Sequence, residues 1–293
     1  MIINGVLIAE AIQKELKEEI DKLPGRKPCL AVILIGDNPA SKIYVNRKTK
    51  ACEATGILSI QITLPASTSE IELVQEIEKL NQNTIVDGIL VQLPLPSHIT
   101  ASKIIQAICP NKDVDGFHPI NLGKLLIGEN DGFISCTPLG IQTLLQRSNI
   151  NISGLNALII GRSNIVGKPL ATLLMQNKEG GNATVTVAHS LTKNIKKLTL
   201  EADLIVAAMG HAHYLTQEMV KKGAIIVDVG VNKINDASSP KGYRIVGDVD
   251  YDNVKNQCSF ITPVPGGVGP MTIAMLLSNT LKSYRQKLQA DRT

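Results

Sequence analysis

The sequence predicts an α/β protein of two domains with a cleft between them: an N-terminal α/β substrate domain and a C-terminal Rossmann-like domain. Three observations predict it. Seven short runs are almost continuously apolar rather than alternating, the pattern of parallel strands covered on both faces. The segments between them carry helical periodicity. One run, NALIIGRSNIVGKPLATLLM, passes from strand through a glycine turn into a helix. The 293 residues suit two domains. The seam falls near residues 120–140, where LLIGENDGFISC is glycine-bearing and weakly periodic. This gives domains at 1–137 and 138–270, with a helix over 271–293 packing back on the first.

The elements follow in order. In AEAIQKELKEEIDKL, the residues Ile8, Ile12, Leu16, Ile20 and Leu23 form one helical stripe. CLAVILI (29–35) reads as a strand. A helix starts near Asn38–Pro39 and stops at Gly56. ILSIQITL (57–64) and DGILVQLPL (87–95) are the next strands. Thr137–Pro138 reads as an N-cap and a first-turn proline opening a helix through LGIQTLLQRS. Strands are then expected at 156–161, 183–188, 204–210 and 224–230. PMTIAMLLSNTLKSYRQKL forms the last helix, with proline near its start and basic residues near its end.

Composition narrows the function. Apolar residues make up 44% and aromatics 3%, so the core is aliphatic. A net charge of +4, with acids and bases mixed, is far from the basic stripe of a nucleic-acid binder. Five cysteines without CxxC spacing argue against a disulfide framework or zinc site. No basic leader or membrane-length apolar run is found, so the expectation is a soluble cytoplasmic protein with no membrane partner.

Several residues stand out as chemistry-bearing. Tyr44 and Lys48 are four apart and share one helical face, although the plain reading of that face is solvated charge. Gln92 ends a buried strand, where sites form in α/β sheets. Asp115 lies in NKDVDGFHP; Phe117 and Lys124 occupy positions where a calcium loop needs oxygen ligands. His211 and His213 lack a third ligand, so no metal is expected. In the glycine turn, Gly161 permits the tight bend and Gly167 a close backbone approach, and the helix that follows points its first N–H groups at a pyrophosphate. The strand at 183–188 ends in His189 and Ser190 with no carboxylate, and Arg162 sits in the turn. A carboxylate would repel a 2′-phosphate whereas Arg and Ser bind it, so the cofactor is expected to be NADP rather than NAD. In TPVPGGVGPMT, the glycines read either as a rigid turn or as a backbone wall against a flat ligand.

Together, PASKIYVNRKTKACEATGI, QLPLP, KDVDGFHPINLGKL, CTPLGIQTLL, GRSNIVGKPLATLL, VDVGVN, GDVD and TPVPGGVGPMTIAMLL resemble one family, the bifunctional methylenetetrahydrofolate dehydrogenase/cyclohydrolases. The stretches run from residue 39 to 277. Two places depart from the family's pattern: GHAHYL, where a basic residue and a proline are usual, and Ser135 in place of proline. The resemblance implies hydride transfer from 5,10-methylenetetrahydrofolate to NADP+, then hydrolysis of the methenyl product to 10-formyltetrahydrofolate. It implies that Tyr44 stacks on the folate, Lys48 is the base, Gln92 tunes it and Asp115 holds the pterin. It adds Pro265, Gly266 and Gly269 on the substrate side. On the cofactor side it adds Ser163, Val231 and Thr272 to Gly161, Arg162, Gly167 and Ser190. It also implies a homodimer.

Such a base must be neutral, which for lysine means a fall from about 10.4 to roughly 7–8. Desolvation can supply that shift, and an amide partner such as Gln92 adds no negative charge to oppose it. Two other readings stay open: an NADP-dependent dehydrogenase of a small hydroxy acid, resembling shikimate dehydrogenases, and a non-catalytic folate or nucleotide binder.

Overall fold

A computed structural model describes residues 1–239 and 242–290. In chain order its elements begin with α1 (Gly5–Asp21), β1 (Cys29–Ile35), α2 (Pro39–Thr55), β2 (Leu58–Leu64) and α3 (Glu70–Gln82). Next come β3 (Gly88–Val91), α4 (Ala101–Ala107), α5 (Pro119–Ile127) and α6 (Cys136–Arg147). They continue with β4 (Asn156–Ile160), α7 (Gly167–Met175), β5 (Thr184–Ala188), α8 (Ile195–Glu201), β6 (Leu204–Ala207) and β7 (Ile225–Asp228). The chain ends with β8 (Asn232–Asn235), β9 (Tyr243–Val246), α9 (Tyr251–Val254), β10 (Phe260–Ile261) and α10 (Val268–Ala290). Among the described residues no helix is long and apolar enough to cross a membrane.

The chain forms two compact units. One comprises Glu10–Cys136 and the chain from Ile273 onward. Its sheet is parallel, in the order β2-β1-β3. CLAVILI has no charged side chain to keep in water and is buried along its whole length. Ala31, Ile33, Ile89, Leu73, Ile77 and Ile104 join sheet and helices in one core. The C-terminal part of α10 belongs here: Tyr284 is buried, and its hydroxyl donates to the Arg26 carbonyl at 2.8 Å.

The other unit comprises Met1–Ala9 and Thr137–Thr272. Its five strands are parallel in the order β10-β7-β6-β4-β5. Read from the β5 edge and counted within the unit this is 2-1-3-4-5, a doubly wound sheet whose direction of winding reverses between β4 and β6.

Several details differ from the sequence reading, each with a cause. Residues 1–9, read with the first half, cluster with the second: Ile3 N–H donates to the Ile261 carbonyl at 2.8 Å, and Ile261 N–H to that of Met1 at 3.0 Å. The run 87–95 stops at Val91, before Pro94, which has no N–H for a ladder. The runs 204–210 and 224–230 stop at Ala207 and Asp228, because nearby amides beyond them bond to aspartate side chains instead. β2 and β5 are edge strands and only partly covered. Thr137 is the second residue of α6 rather than its cap, and its hydroxyl bonds to that of Thr272 at 3.0 Å. The last helix starts at Val268, inside the glycine stretch; the final three residues of the expected 271–293 helix lie outside the described residues. The β8–β9 hairpin and the two-residue β10 had no expectation attached.

Candidate active site

The helix α2 places the first side chains. Asn38 caps it, its Oδ1 accepting from Ala40 N at 3.0 Å and Ser41 N at 3.2 Å, and Pro39 fills the first turn. Gly56 ends it in the left-handed region at φ 80°, where glycine carries no Cβ penalty. Between these fixed ends the two faces differ. Arg47 is exposed and Lys50 likewise, as a solvated face requires. Lys48 is only 9% exposed, and its Nζ donates to Gln92 Oε1 at 3.0 Å. Tyr44, one turn earlier, keeps 40% of its surface in solvent, offering a ring face. The plain solvated reading of the helix fails at the residue that matters.

Gln92 is fixed on both sides. Its N–H donates to the Ile33 carbonyl at 2.9 Å, and its Nε2 to the Leu93 carbonyl at 2.6 Å. That leaves the amide oxygen aimed at Lys48. The pair sits at the carboxyl ends of β1 and β3, where the order β2-β1-β3 changes direction. Open α/β sheets bind ligands at that point.

Asp115 joins them. A parallel bridge between Ile89 and Asp113 sets this segment alongside β3. The buried Asp113 carboxylate accepts from Phe117 N at 3.2 Å, His118 N at 2.8 Å and Asn121 Nδ2 at 2.8 Å, pinning the turn on which Asp115 rides. Gly116, at φ 73°, has the Ser135 amide where a side chain would start. Burial pushes the Asp115 carboxyl up, while the nearby charge of Lys48 and a hydrogen bond from Cys136 pull against that rise. Asp113, Cys136 and Asn279 had not been singled out. Cys136 is buried with its thiol held well above its usual range, first by desolvation and then by Asp115. Asn279 Nδ2 donates to the Val114 and Ile134 carbonyls at 2.8 and 3.0 Å. Gln92 brings no negative charge to Lys48, but Asp115 stands near enough for its carboxyl to feel the Lys48 charge. Composition gave no hint of this, since the two are far apart in sequence and meet only through the β3 edge.

In the second unit the glycine turn expected to hold the nucleotide lies at the winding reversal. Gly161, at φ 134°, lies so close to Ala208 that a Cβ would collide with that residue's carbonyl oxygen. Gly161 N–H donates to the Ala188 carbonyl at 2.9 Å, tying the turn after β4 to the end of β5. Arg162 and Ser190 are exposed on these adjoining loops. Neither the GRSNIVGK turn nor AHSLTKN contains an acid, and both contain a base. Ser163 Oγ accepts from Val166 N at 3.1 Å and Gly167 N at 3.4 Å, capping the first amides of α7. At Gly167 the close backbone approach is to the turn itself. A Cβ there would strike the Gly161 carbonyl, so its glycine serves the packing of helix on turn. Val231 is 57% exposed beyond β7.

The TPVPGGVGPMT segment divides likewise. Gly267 is closed in by Pro263 and Thr262 of its own unit, whereas Gly269 faces open space within the first turn of α10. Gly266 takes φ 107° after Pro265. Thr272 is bonded to Thr137 as described. The segment is therefore partly a rigid turn and partly an open backbone face.

Residues 3–115 match the family described as tetrahydrofolate dehydrogenase/cyclohydrolase, catalytic domain, and residues 135–288 match its NAD(P)-binding domain. The chain belongs to the tetrahydrofolate dehydrogenase/cyclohydrolase family.

Within the family, the chain is 64% identical to the bifunctional protein FolD of Protochlamydia amoebophila over 284 residues, 97% of each chain. The crystal structure of the bifunctional enzyme FolD from Campylobacter jejuni superposes with a TM-score of 0.92 at 49% identity, covering 98% of this chain and 99% of that one. The family member from Trypanosoma brucei, complexed with NADP cofactor and inhibitor, gives 0.92 at 39%, covering 98% of both. A shikimate dehydrogenase from Thermus thermophilus shares the fold alone, at 15% identity and a TM-score of 0.52 over 88% of this chain and 99% of that one.

The second unit fits the family's dinucleotide. Three conditions meet there: a glycine turn that no Cβ could enter, a capped helix behind it, and exposed Arg162 and Ser190 with no carboxylate to repel a 2′-phosphate. The five cysteines are all unpaired thiols.

Proposed function

We propose that this chain oxidises 5,10-methylenetetrahydrofolate with NADP+ and hydrolyses the resulting 5,10-methenyltetrahydrofolate to 10-formyltetrahydrofolate. The observation that carries this reading is the buried Lys48, hydrogen-bonded at 3.0 Å to Gln92 at the winding reversal of the first sheet. Residues 10–136 with the chain from Ile273 form the folate domain, and residues 1–9 with 137–272 the NADP domain.

The residues divide the work. Tyr44 gives the flat pterin a ring to lie on. Asp115 accepts the paired N–H groups of its amino-pyrimidine edge. Lys48 takes a proton from the water that attacks the methenyl carbon. Gln92 aims that amine and adds no charge. Pro265, Gly266 and Gly269 contact the substrate through backbone. NADP+, when bound, supplies the hydride acceptor. Gly161, Gly167 and Ser163 shape the turn for its pyrophosphate, Arg162 and Ser190 take its 2′-phosphate, and Val231 and Thr272 complete its contacts.

One coupled assay tests the whole: NADPH formation from methylenetetrahydrofolate, then disappearance of the methenyl product. Lys48→Met is expected to cut methenyl hydrolysis by about 100-fold or more while NADP+ binding survives. Retained hydrolysis would remove Lys48 from its role. Only the folate reading predicts turnover of methylenetetrahydrofolate; turnover of a small hydroxy acid instead would favour the shikimate-like alternative, and an inert but ligand-saturable protein the plain binder.

The chain works as a homodimer in the cytoplasm. The unpaired thiols suit a reducing compartment. Support for the dimer comes from β2. LSIQITL is an edge strand of seven residues with no charge and no proline, and such an edge invites pairing with another strand.

A further inference from the structure

Two buried aspartates in the second unit take no part in the roles above. Asp248 Oδ2 accepts from Met209 N at 2.7 Å and Gly210 N at 2.9 Å; Oδ1 accepts from His211 N and Asn232 Nδ2, each at 2.8 Å. Asp228 Oδ1 accepts from Gly230 N at 3.0 Å and Asp248 N at 2.9 Å, and its Oδ2 from Val249 N at 2.9 Å. Donors from three separate loops thus converge on two carboxylates. Both side chains are almost wholly buried. The local glycines follow from this. A Cβ on Gly230 would collide with Asp248 Oδ1, and one on Gly247 with Asp228 Oδ2. The stretches VDVGVN and GDVD are therefore two halves of one arrangement.

Its location gives it a purpose. The loops after β6 and β7 lie across the winding reversal from the glycine turn, and Ala208 touches Gly161. A dinucleotide spans that reversal. With Arg162 and Ser190 taking the adenosine end over β4 and β5, the other end falls to the loops after β6 and β7. Val231, the exposed residue there, is flanked by Gly230 on Asp228 and Asn232 on Asp248.

We propose that Asp228 and Asp248 form one positioning device that holds the loops 208–213 and 229–232 in the arrangement receiving the nicotinamide half of NADP. The inference rests on the NADP reading of this unit. An amide cannot replace Asp248, because all its donors need acceptor oxygen on both sides and Asn offers oxygen on one.

The test measures binding of NADP+ and of adenosine 2′,5′-bisphosphate, which carries only the adenosine end, together with the KM values for NADP+ and for methylenetetrahydrofolate. Asp248→Asn and Gly230→Ala are each expected to weaken NADP+ by about tenfold or more, with the bisphosphate and the folate KM moving less than about twofold. Equal weakening of both nucleotides, or unchanged NADP+ affinity in a folded variant, overturns the proposal. If those variants fail to fold, Asn232→Ala decides, since it removes one donor only: a rise of about threefold in the NADP+ KM with the bisphosphate unmoved supports the device, and no rise overturns it. Wild-type protein that binds neither nucleotide would instead sink the NADP reading itself.

Discussion

At the scale of single residues, burial separates side chains that look alike in sequence. Arg47, Lys48 and Lys50 are neighbouring cations, yet only Lys48 is turned inward onto an amide oxygen. The i,i+4 spacing with Tyr44 identified the face; the spacing alone could not show which way the face pointed. Asp115→Ala should raise the folate KM by about tenfold or more and leave the NADP+ KM in place, since its loss removes the pterin's paired acceptor. Steady-state kinetics on both substrates checks this. Asp113 makes a different prediction. Desolvation holds its carboxyl up at about 6, against an ordinary 3.8, despite three donated hydrogen bonds. The folded state therefore binds this proton more tightly than the unfolded chain. Its contribution to stability is present below about pH 4 and is lost as pH rises through about 6, at up to about 1.4 kcal/mol per pH unit. Urea unfolding across that window should show the decline, and Asp113→Asn should flatten its share of it.

At the scale of elements, local signals were strongest where they had a backbone reason. Asn38, Pro39 and Gly56 bound α2 where the capping residues said it would begin and end. Asn38→Ala should cost about 1 kcal/mol of stability through the lost amide acceptor, and thermal unfolding measures it. The strands of the sheet centres were legible as unbroken apolar runs, but their ends were not. β6 and β7 stop early because amides turn to carboxylates, one of them far along the chain, a non-local cause that no window of sequence contains. The same holds for Gly167, whose motif position was readable and whose contact was not. The expectation of NADP rests on the acid absent from the turn. Arg162→Glu should therefore lower the preference for NADP+ over NAD+ by about tenfold or more, as a like charge faces the 2′-phosphate. Comparing kcat/KM for the two cofactors tests it.

At the scale of the molecule, both sheets contain the strand order 2-1-3, and each candidate site sits where that order turns back on itself. The pairing of Lys48 with Gln92, and of the glycine turn with Ala208, follows from topology as much as from motif. The alternation of strands and helices was legible along the chain. The allocation of residues 1–9 was not, because their bonds to β10 join two segments at opposite ends of the sequence. Charging the exposed β2 edge, as Gln61→Lys with Thr63→Lys, should convert a dimer to a monomer in light scattering; unchanged mass would place the interface elsewhere.

The two buried carboxylates beyond β6 and β7 have one more consequence. Their backbone partners span residues 209 to 249, so no one loop can open without abandoning an acceptor that the others also use. The amide protons of Met209, Gly210, His211, Gly230, Asp248 and Val249 should accordingly trade with deuterated solvent at a common rate, as one cooperative patch, rather than at the scattered rates of ordinary surface loops.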